Sequence, residues 1–251
     1  MKKKLLLCGA LTLAALLITY FYTSNTKSID TNELIVGTNP HFPPFEYIKD
    51  GEVVGFDIEL IKEIAQRIGK KLILKDTAFD TLLLEAQAGR IHMIAAAMTP
   101  TPERAKQVIF TKLYLAQDPL EVITLAGQPQ PKTLNDLKGK EVVVNDGFTA
   151  ESFMAKQPGV ILKRLQFPAE AFLAVLSSRA YAYVSARNAV QPFFDQHGSE
   201  KFNRLTLPVF DSCAFAISKK HPELLEPIQK ALDELENNGF LEKLKKKWHL
   251  L

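Results

Sequence analysis

Short strand-like runs alternate with amphipathic segments along the first hundred residues, and this order constrains the fold more than any other feature of the chain. Residues 34–38 and 71–75 have the length and character of buried strands, and residues 57–69 between them carry apolar side chains at helical spacing. Asp57 is predicted to cap this helix at its start. A further helix and a strand at residues 91–96 follow. This β-α-β order predicts a parallel sheet covered by helices.

The second half of the chain repeats this pattern. Strands are predicted at residues 141–144, 161–165 and 180–184, with helices between them. Two such units predict an α/β protein with two lobes, each a mostly parallel sheet flanked by helices, and a cleft between the lobes. One continuous doubly wound sheet is the alternative. Residues 209–217 are predicted to form one long strand, and residues 222–248 two final helices.

The composition is that of a globular protein rather than a nucleic-acid-binding one. The 251 residues are 47% hydrophobic and 24% charged, which allows one large domain or two small ones. Lys2, Lys3 and Lys4 account for the net charge of +3, because the other 28 Lys and Arg residues balance 28 Asp and Glu residues. No nucleic-acid partner is therefore predicted.

The sequence carries no motif for a metal, a cofactor or a catalytic nucleophile. Its five His residues are scattered, and no pair has the spacing of metal ligands. Phosphate-binding loops, dinucleotide fingerprints and nucleophile elbows are absent from it. Catalytic residues, metals and cofactors are accordingly not predicted, and the chain is expected not to be an enzyme.

Residues 1–25 resemble an export signal. Three Lys residues precede an apolar run from residue 5 to residue 22. No A-x-A cleavage pattern follows, and the run is long enough to span a bilayer, so a cleaved signal peptide and a retained signal anchor both stay open. Only Cys213 remains beyond the signal, so an internal disulfide is impossible, and this thiol is predicted to be buried as a small hydrophobe.

Residues 91–104, IHMIAAAMTPTPER, carry the clearest functional signal. An apolar run ends in small residues and is followed by Thr99, Thr101 and Arg104. An Arg held just beyond a strand end can direct two N–H groups at a carboxylate, a geometry that Lys cannot reproduce. The Thr99 hydroxyl and nearby backbone N–H groups can complete the same anion site. The alternative role for Arg104 is a surface salt bridge with Glu103. The segment predicts capture of a small carboxylate.

Five further segments occur in a specific order. They are residues 37–47 (GTNPHFPPFEY), 51–60 (GEVVGFDIEL), 98–114 (MTPTPERAKQVIFTKLY), 137–151 (LKGKEVVVNDGFTAE) and 239–250 (GFLEKLKKKWHL). In this order they resemble the periplasmic solute-binding proteins of polar amino-acid ABC transporters, bacterial solute-binding protein family 3. The surroundings of Cys213 and residues 157–159 look most like the arginine-binding branch of that family.

The resemblance implies the type II periplasmic-binding-protein fold, with lobe 1 at residues 26–116 and 211–251 and lobe 2 at residues 117–210. It implies a periplasmic protein that captures a polar amino acid, with arginine the leading candidate. The protein would deliver this ligand to the membrane permease of an ABC transporter. It is expected to act as a monomer, and the small-molecule ligand and the permease are its expected partners.

The resemblance also assigns ligand-binding roles residue by residue. Arg104 matches the Arg that binds the ligand carboxylate, and Thr99 matches the hydroxyl beside it. Phe42 matches the aromatic residue that stacks on the ligand, with Phe79 opposite. Asn39 matches a position near the polar tail of the ligand. The remaining implied contacts are Ala97, Met98, Gly147, Thr149 and Ala186.

Some of these residues have both a functional and a purely structural interpretation. Gly147 and Thr149 are expected to cap the ligand carboxylate from lobe 2, at a helix N-terminus that favours anions. Thr149 is alternatively an ordinary N-cap of that helix. Phe42 is alternatively a core residue, and Asn39 a turn residue before Pro40.

Three positions depart from the pattern of the family. Ala186 stands where an acidic residue normally pairs with the α-ammonium of the ligand, Ala97 where Gly is common, and Phe148 where Thr is common. Losing one buried partner of a charged group costs about 2–5 kcal/mol. Either Asp146 or Asp118 takes over this pairing, or the ligand is not an ordinary α-amino acid.

Several alternatives therefore stay open. For an arginine ligand, Asn39 and Glu46 are the candidate acceptors for its guanidinium. An enzyme on the same scaffold, a dehydratase acting on a cyclic carboxylate such as prephenate, would need a positioned general acid, which the Ala186 position lacks. A binder of a carboxylate without an α-amine, and a sensor or adhesin that keeps the fold, are the other possibilities.

Overall fold

The computed structural model describes residues 32–250, so the predicted signal at residues 1–25 lies outside the described residues. Within residues 32–250, no helix combines the length and the apolar character that crossing a membrane requires.

The described chain alternates strands and helices in the predicted order. The strands are β1 (Glu33–Thr38), β2 (His41–Phe42), β3 (Glu46–Lys49), β4 (Glu52–Val54), β5 (Lys71–Asp76), β6 (Met93–Ile94), β7 (Val108–Phe110), β8 (Leu115–Leu125), β9 (Glu141–Asn145), β10 (Ile161–Leu165), β11 (Ala182–Ala186), β12 (Phe202–Cys213) and β13 (Ala216–Ser218). The α-helices are α1 (Phe56–Arg67), α2 (Leu82–Gln87), α3 (Pro102–Ala105), α4 (Thr149–Met154), α5 (Pro168–Leu176), α6 (Arg187–His197), α7 (Leu225–Asn237) and α8 (Phe240–Lys247).

Within residues 32–250, the strands form two separate five-stranded sheets and one small three-stranded sheet. The order of the first large sheet is β5-β1-β6-β13-β7, and that of the second is β10-β9-β11-β8-β12. Strands that follow one another through helices run parallel, as β1 with β6 and β9 with β10 and β11. The pairs that involve β8, β12 and β13 are antiparallel. The two-lobe α/β architecture is confirmed, with mixed sheets, and the single continuous sheet is wrong.

Two long strands connect the sheets along the chain. β8 and β12 pair antiparallel from Leu125 opposite Phe202 to Leu115 opposite Cys213, with shifts of register near Thr206 and Asp211. The chain enters the second sheet through β8 and leaves it through β12. A pair of crossing strands of this kind is a natural hinge between two lobes. The predicted lobe boundaries fall within these two strands.

The strand predicted at residues 209–217 is broken in the structure, so that prediction is wrong. β12 ends at Cys213 and belongs to the second sheet, whereas β13 begins at Ala216 and belongs to the first. Between them, the Ala214 N–H donates to the Met98 carbonyl at 3.1 Å. The break depends on this long-range contact. Residues 209–217 contain no Gly or Pro that would have indicated a break from the sequence.

Asp57 does not cap the first helix, which corrects the prediction made for it. Helix α1 begins at Phe56 and its N-cap is Gly55, where an added Cβ would lie 2.1 Å from the Phe45 carbonyl oxygen. Asp57 is instead buried, and its Oδ2 accepts from the Ala97 N–H at 2.8 Å and from the Tyr114 hydroxyl at 2.6 Å. This carboxylate therefore fixes the loop after β6, where the functional segment begins.

Aromatic side chains pack beneath that segment. The Tyr114 ring lies 5.8 Å from the Phe56 ring and 4.7 Å from the Phe215 ring, measured between centroids. Cys213 is 3% exposed, and burial raises the pKa of its thiol well above the ordinary value. The prediction of a buried, hydrophobic Cys213 is confirmed.

Candidate ligand-binding cleft

A narrow cleft, with a volume of about 20 Å³, lies where several strands of both large sheets end. Ala96, Ala97 and Thr99 follow β6, Phe148 and Thr149 follow β9, and Ala186 is the last residue of β11. In α/β folds, ligands bind at these carboxyl ends of the strands. The lining residues are Phe42, Phe45, Phe79, Ala96, Ala97, Thr99, Arg104, Asp118, Phe148, Thr149, Ala186, Asp211 and Cys213.

Arg104 lines the cleft and is 9% exposed. The Thr101 hydroxyl caps helix α3 by accepting from the Arg104 backbone N–H at 3.2 Å, and Pro102 occupies the first turn, so a short helix aims the side chain. Arg104 Nη1 donates to the Thr99 carbonyl and Nη2 to the Gly147 carbonyl, both at 2.7 Å. The guanidinium therefore joins segments that follow strands of two different sheets.

Arg104 does not form the salt bridge with Glu103 that was its predicted alternative role. The ion pairs found within residues 32–250 do not include a bridge between Arg104 and Glu103. Burial lowers the pKa of Arg104, and the negative charge of Asp211 partly opposes this effect. The side chain remains a cation held in a cleft, which is the property needed to attract an anion.

Two carboxylates line the cleft on the crossing strands. Asp118 on β8 and Asp211 on β12 are directly opposite each other in the antiparallel pairing. Asp118 is buried and accepts from the Asn188 backbone N–H at 3.2 and 3.3 Å. Asp211 accepts from the Thr99 hydroxyl at 3.1 Å, and the nearby Thr149 hydroxyl lowers its pKa.

Both carboxylates have raised pKa values. Burial raises the pKa of Asp118 to about 7, and the charge of Asp211 adds to the shift while the Asn188 N–H opposes it. Burial also raises the pKa of Asp211, against the effects of the two Thr hydroxyls and Arg104. A cationic ligand group would relieve this penalty, because an opposite charge nearby favours the ionised carboxylate.

The second-lobe side of the cleft is uncharged at the position where the family pattern has an acid. Ala186 lines the cleft with a methyl group. The neighbouring Arg187 is not among the lining residues, and its Nε donates to the buried Glu121 at 2.8 Å. Asp118, one of the two predicted substitutes, lines the cleft, whereas the other, Asp146, is not among the lining residues.

Four aromatic rings line the cleft and contact one another. Phe42 stacks on Phe45 with centroids 5.5 Å apart. Phe148 contacts Phe42 edge-on at 5.2 Å and Phe79 at 4.5 Å. The Arg104 guanidinium carbon lies 5.5 Å from the Phe79 ring centroid, in the range of a cation–π contact.

Seven of the ten predicted ligand contacts line the cleft, namely Phe42, Phe79, Ala97, Thr99, Arg104, Thr149 and Ala186. Asn39 is buried nearby, and its side-chain amide donates to the Thr77 carbonyl at 3.3 Å. Met98 is fully buried, and Gly147 contributes only its carbonyl to Arg104. Thr149 is not the N-cap of its helix, because that position belongs to Phe148 and Thr149 is the first helical residue.

Glu46, a predicted acceptor for an arginine side chain, is fully buried and is not among the residues that line the cleft. Burial raises its pKa well above the ordinary value, and the charge of Asp57 adds to the effect. Burial also raises the pKa of Asp57 to about 7. This pair supports the floor of the site from behind. Among residues 32–250, moreover, His, Cys, Asp and Glu side chains form no group able to hold a metal ion.

The sequence profile of the bacterial extracellular solute-binding proteins, family 3, matches residues 34–250. This chain belongs to that family. The arginine-binding extracellular protein ArtP of Bacillus subtilis is 30% identical over 252 residues, which cover 99% of this chain and 98% of the relative. The probable histidine-binding protein of Campylobacter jejuni is also 30% identical, and the match covers 91% of this chain and 90% of the relative.

A solved structure extends the match to three dimensions. An ancestral arginine-binding protein bound to arginine is 35% identical and superposes with a TM-score of 0.81, covering 86% of this chain and 98% of that chain. The predicted family is confirmed, and with it an extracytoplasmic solute-binding role. The named relatives are binding proteins of transport systems, which favours this role over the dehydratase alternative.

Proposed function

We propose that this family member captures a polar amino acid in the periplasm, with arginine the leading candidate, and delivers it to the permease of an ABC transporter. The observation that carries the proposal is the buried guanidinium of Arg104 in the cleft. Relatives named as arginine-binding and histidine-binding proteins support the class of ligand.

Arg104 would bind the ligand carboxylate. A guanidinium has five N–H groups, and Arg104 donates two of them to the carbonyls of Thr99 and Gly147. These two bonds fix the plane of the guanidinium, so a carboxylate can meet its other N–H groups without loss of side-chain freedom on binding. Thr99, Gly147 and Thr149 would surround the same carboxylate.

Asp118 and Asp211 would bind the cationic group of the ligand, in place of the acidic side chain that is missing at position 186. Asp211 shares the Thr99 hydroxyl with the carboxylate subsite, so the two ends of an α-amino acid would meet opposite charges around one residue. Hydrogen bonds between charged groups in a buried site contribute about 1.5–3 kcal/mol each. Two facing carboxylates thus suit an ammonium better than the methyl group of Ala186 does.

Lobe closure would couple these contacts to transport. We assign lobe 1 to residues 26–116 and 211–251 and lobe 2 to residues 117–210, hinged at β8 and β12. Arg104 belongs to the first lobe, and Gly147 and Thr149 belong to the second, so a ligand that touches all of them favours the closed form. The permease would recognise that form.

The remaining partner assignments follow from the same family. The protein would act as a monomer in the periplasm, with no nucleic-acid partner. Residues 1–25 would direct export, as a cleaved signal peptide or as a retained anchor. Asn39, Ala97 and Met98 would complete the first-lobe wall.

Isothermal titration calorimetry against each of the common amino acids tests the proposal. Saturable heat is expected from arginine or from another polar amino acid, with a one-to-one stoichiometry. Absence of heat from every amino acid at millimolar concentration, from protein that is folded by circular dichroism, would reject the proposed function.

A further inference from the structure

Phe148 lines the cleft from the second lobe, at the start of helix α4. Its ring lies 5.2 Å from the Phe42 ring and 4.5 Å from the Phe79 ring, at interplanar angles of 88° and 57°. Both partners belong to the first lobe. Phe148 therefore occupies the space that Phe42 and Phe79 border, which we call the aromatic slot.

The backbone on both sides of Phe148 is held in place. The Gly147 carbonyl accepts from Arg104 at 2.7 Å, and Gly147 has a φ of 76°, which favours glycine. A Cβ added to Gly147 would lie 3.5 Å from the Phe79 ring, so this backbone packs directly on the slot. On the other side, Thr149 is the first residue of helix α4, which fixes the direction of the backbone. With the Gly147 carbonyl held by Arg104 of the first lobe and the helix beginning at Thr149, the benzyl group is directed into the slot.

We propose that Phe148 limits the length of the ligand side chain that the closed cleft accepts. The inference rests on the proposed function, because it concerns the same cleft. A ligand stem between Phe42 and Phe79 must displace the Phe148 ring and break two aromatic contacts. A short side chain that stays near Arg104 and Asp211 leaves the ring where it is. Phe148 thus weakens the binding of long side chains relative to the same cleft without the ring, so arginine, still the leading candidate, binds less tightly than it would without Phe148.

The test compares arginine with serine as ligands of the full-length protein and its variants by isothermal titration calorimetry. Phe148→Thr removes the ring and places at this N-cap position a residue that suits it. The dissociation constant for arginine is expected to fall about tenfold in this variant, because two aromatic contacts no longer have to be broken. The constant for serine is expected to change much less.

Phe167→Thr is the matched control. Phe167 is also an aromatic N-cap, of helix α5, and its ring lies 4.7 Å from His41 on β2. It is not among the residues that line the cleft. Its substitution should leave the preference between arginine and serine unchanged.

Each outcome decides the inference. Arginine binding that is unchanged or weaker in folded Phe148→Thr overturns it, while leaving the proposed function intact. If Phe148→Thr melts far below the parent protein, Phe148→Leu, which lacks the ring but stays apolar, takes its place with the same criterion. A parent protein and variants that bind no amino acid overturn the proposed function and this inference together.

Discussion

The two walls of the cleft are built differently. The first-lobe wall presents the guanidinium of Arg104, the hydroxyl of Thr99 and the ring of Phe42. The second-lobe wall presents a methyl group at Ala186, the ring of Phe148 and the hydroxyl of Thr149, with no charged side chain among them. In this cleft, therefore, the second-lobe wall lacks a charge of its own away from the crossing strands, and the negative charge that complements Arg104 comes from elsewhere.

That charge is found on the crossing strands. Asp118 and Asp211 face each other on β8 and β12, where the two lobes are joined. Groups at a hinge move less than groups on either wall when the lobes open. We expect the site to keep its opposite charges in the open form, so that the ligand is oriented before the second lobe closes.

The largest expected effect concerns the first-lobe wall. Arg104→Lys keeps the positive charge and removes the planar pair of donors, so affinity for the amino-acid ligand is expected to fall about a hundredfold. Calorimetry measures the loss. Arg90→Lys is the matched control, because Arg90 is 58% exposed in its side chain and pairs with Glu85 at the surface. Unchanged affinity in folded Arg104→Lys would contradict the role given to this wall.

The next effect concerns the crossing strands. Asp211→Asn keeps the shape and the acceptor for the Thr hydroxyls and removes the charge, so affinity is expected to fall about tenfold to a hundredfold. Asp146→Asn provides the comparison, since Asp146 lies outside the cleft lining. Equal effects of the two substitutions would show that the charge at Asp211 has no part in binding.

The smallest expected effect is a dependence on pH. The pKa of Asp118 is raised to about 7, so this carboxylate is mostly protonated at pH 5.5 and mostly ionised at pH 8. Affinity for a ligand with an ammonium group should therefore rise about tenfold over this range and level off near pH 8. Asp118→Asn should remove most of the rise. Affinity that falls with increasing pH would contradict the predicted direction of this pH dependence.

The sequence predicted the local elements well. The strand at residues 161–165 has the predicted bounds, because the spacing of apolar residues within a short segment determines them. The two-lobe architecture and Cys213 burial also followed from pattern and composition. These features depend on neighbouring residues, which a sequence displays directly.

The features that depend on distant contacts were missed. Asp57 had the position of a helix cap, and only the packing of Ala97 and Tyr114 around it makes it a buried acceptor. Asp211 was not predicted as a site residue, although a lone acid within an otherwise apolar strand was the signal. It becomes significant because β12 pairs with β8 and places it opposite Asp118.

The most direct test of the account is a crystal structure of the protein with its amino acid bound. The account predicts a ligand carboxylate within hydrogen-bond distance of the Arg104 guanidinium, at about 3 Å, and a ligand ammonium at the Asp118–Asp211 pair. A ligand whose carboxylate lies away from Arg104, with this guanidinium still bound only to the carbonyls of Thr99 and Gly147, would contradict it.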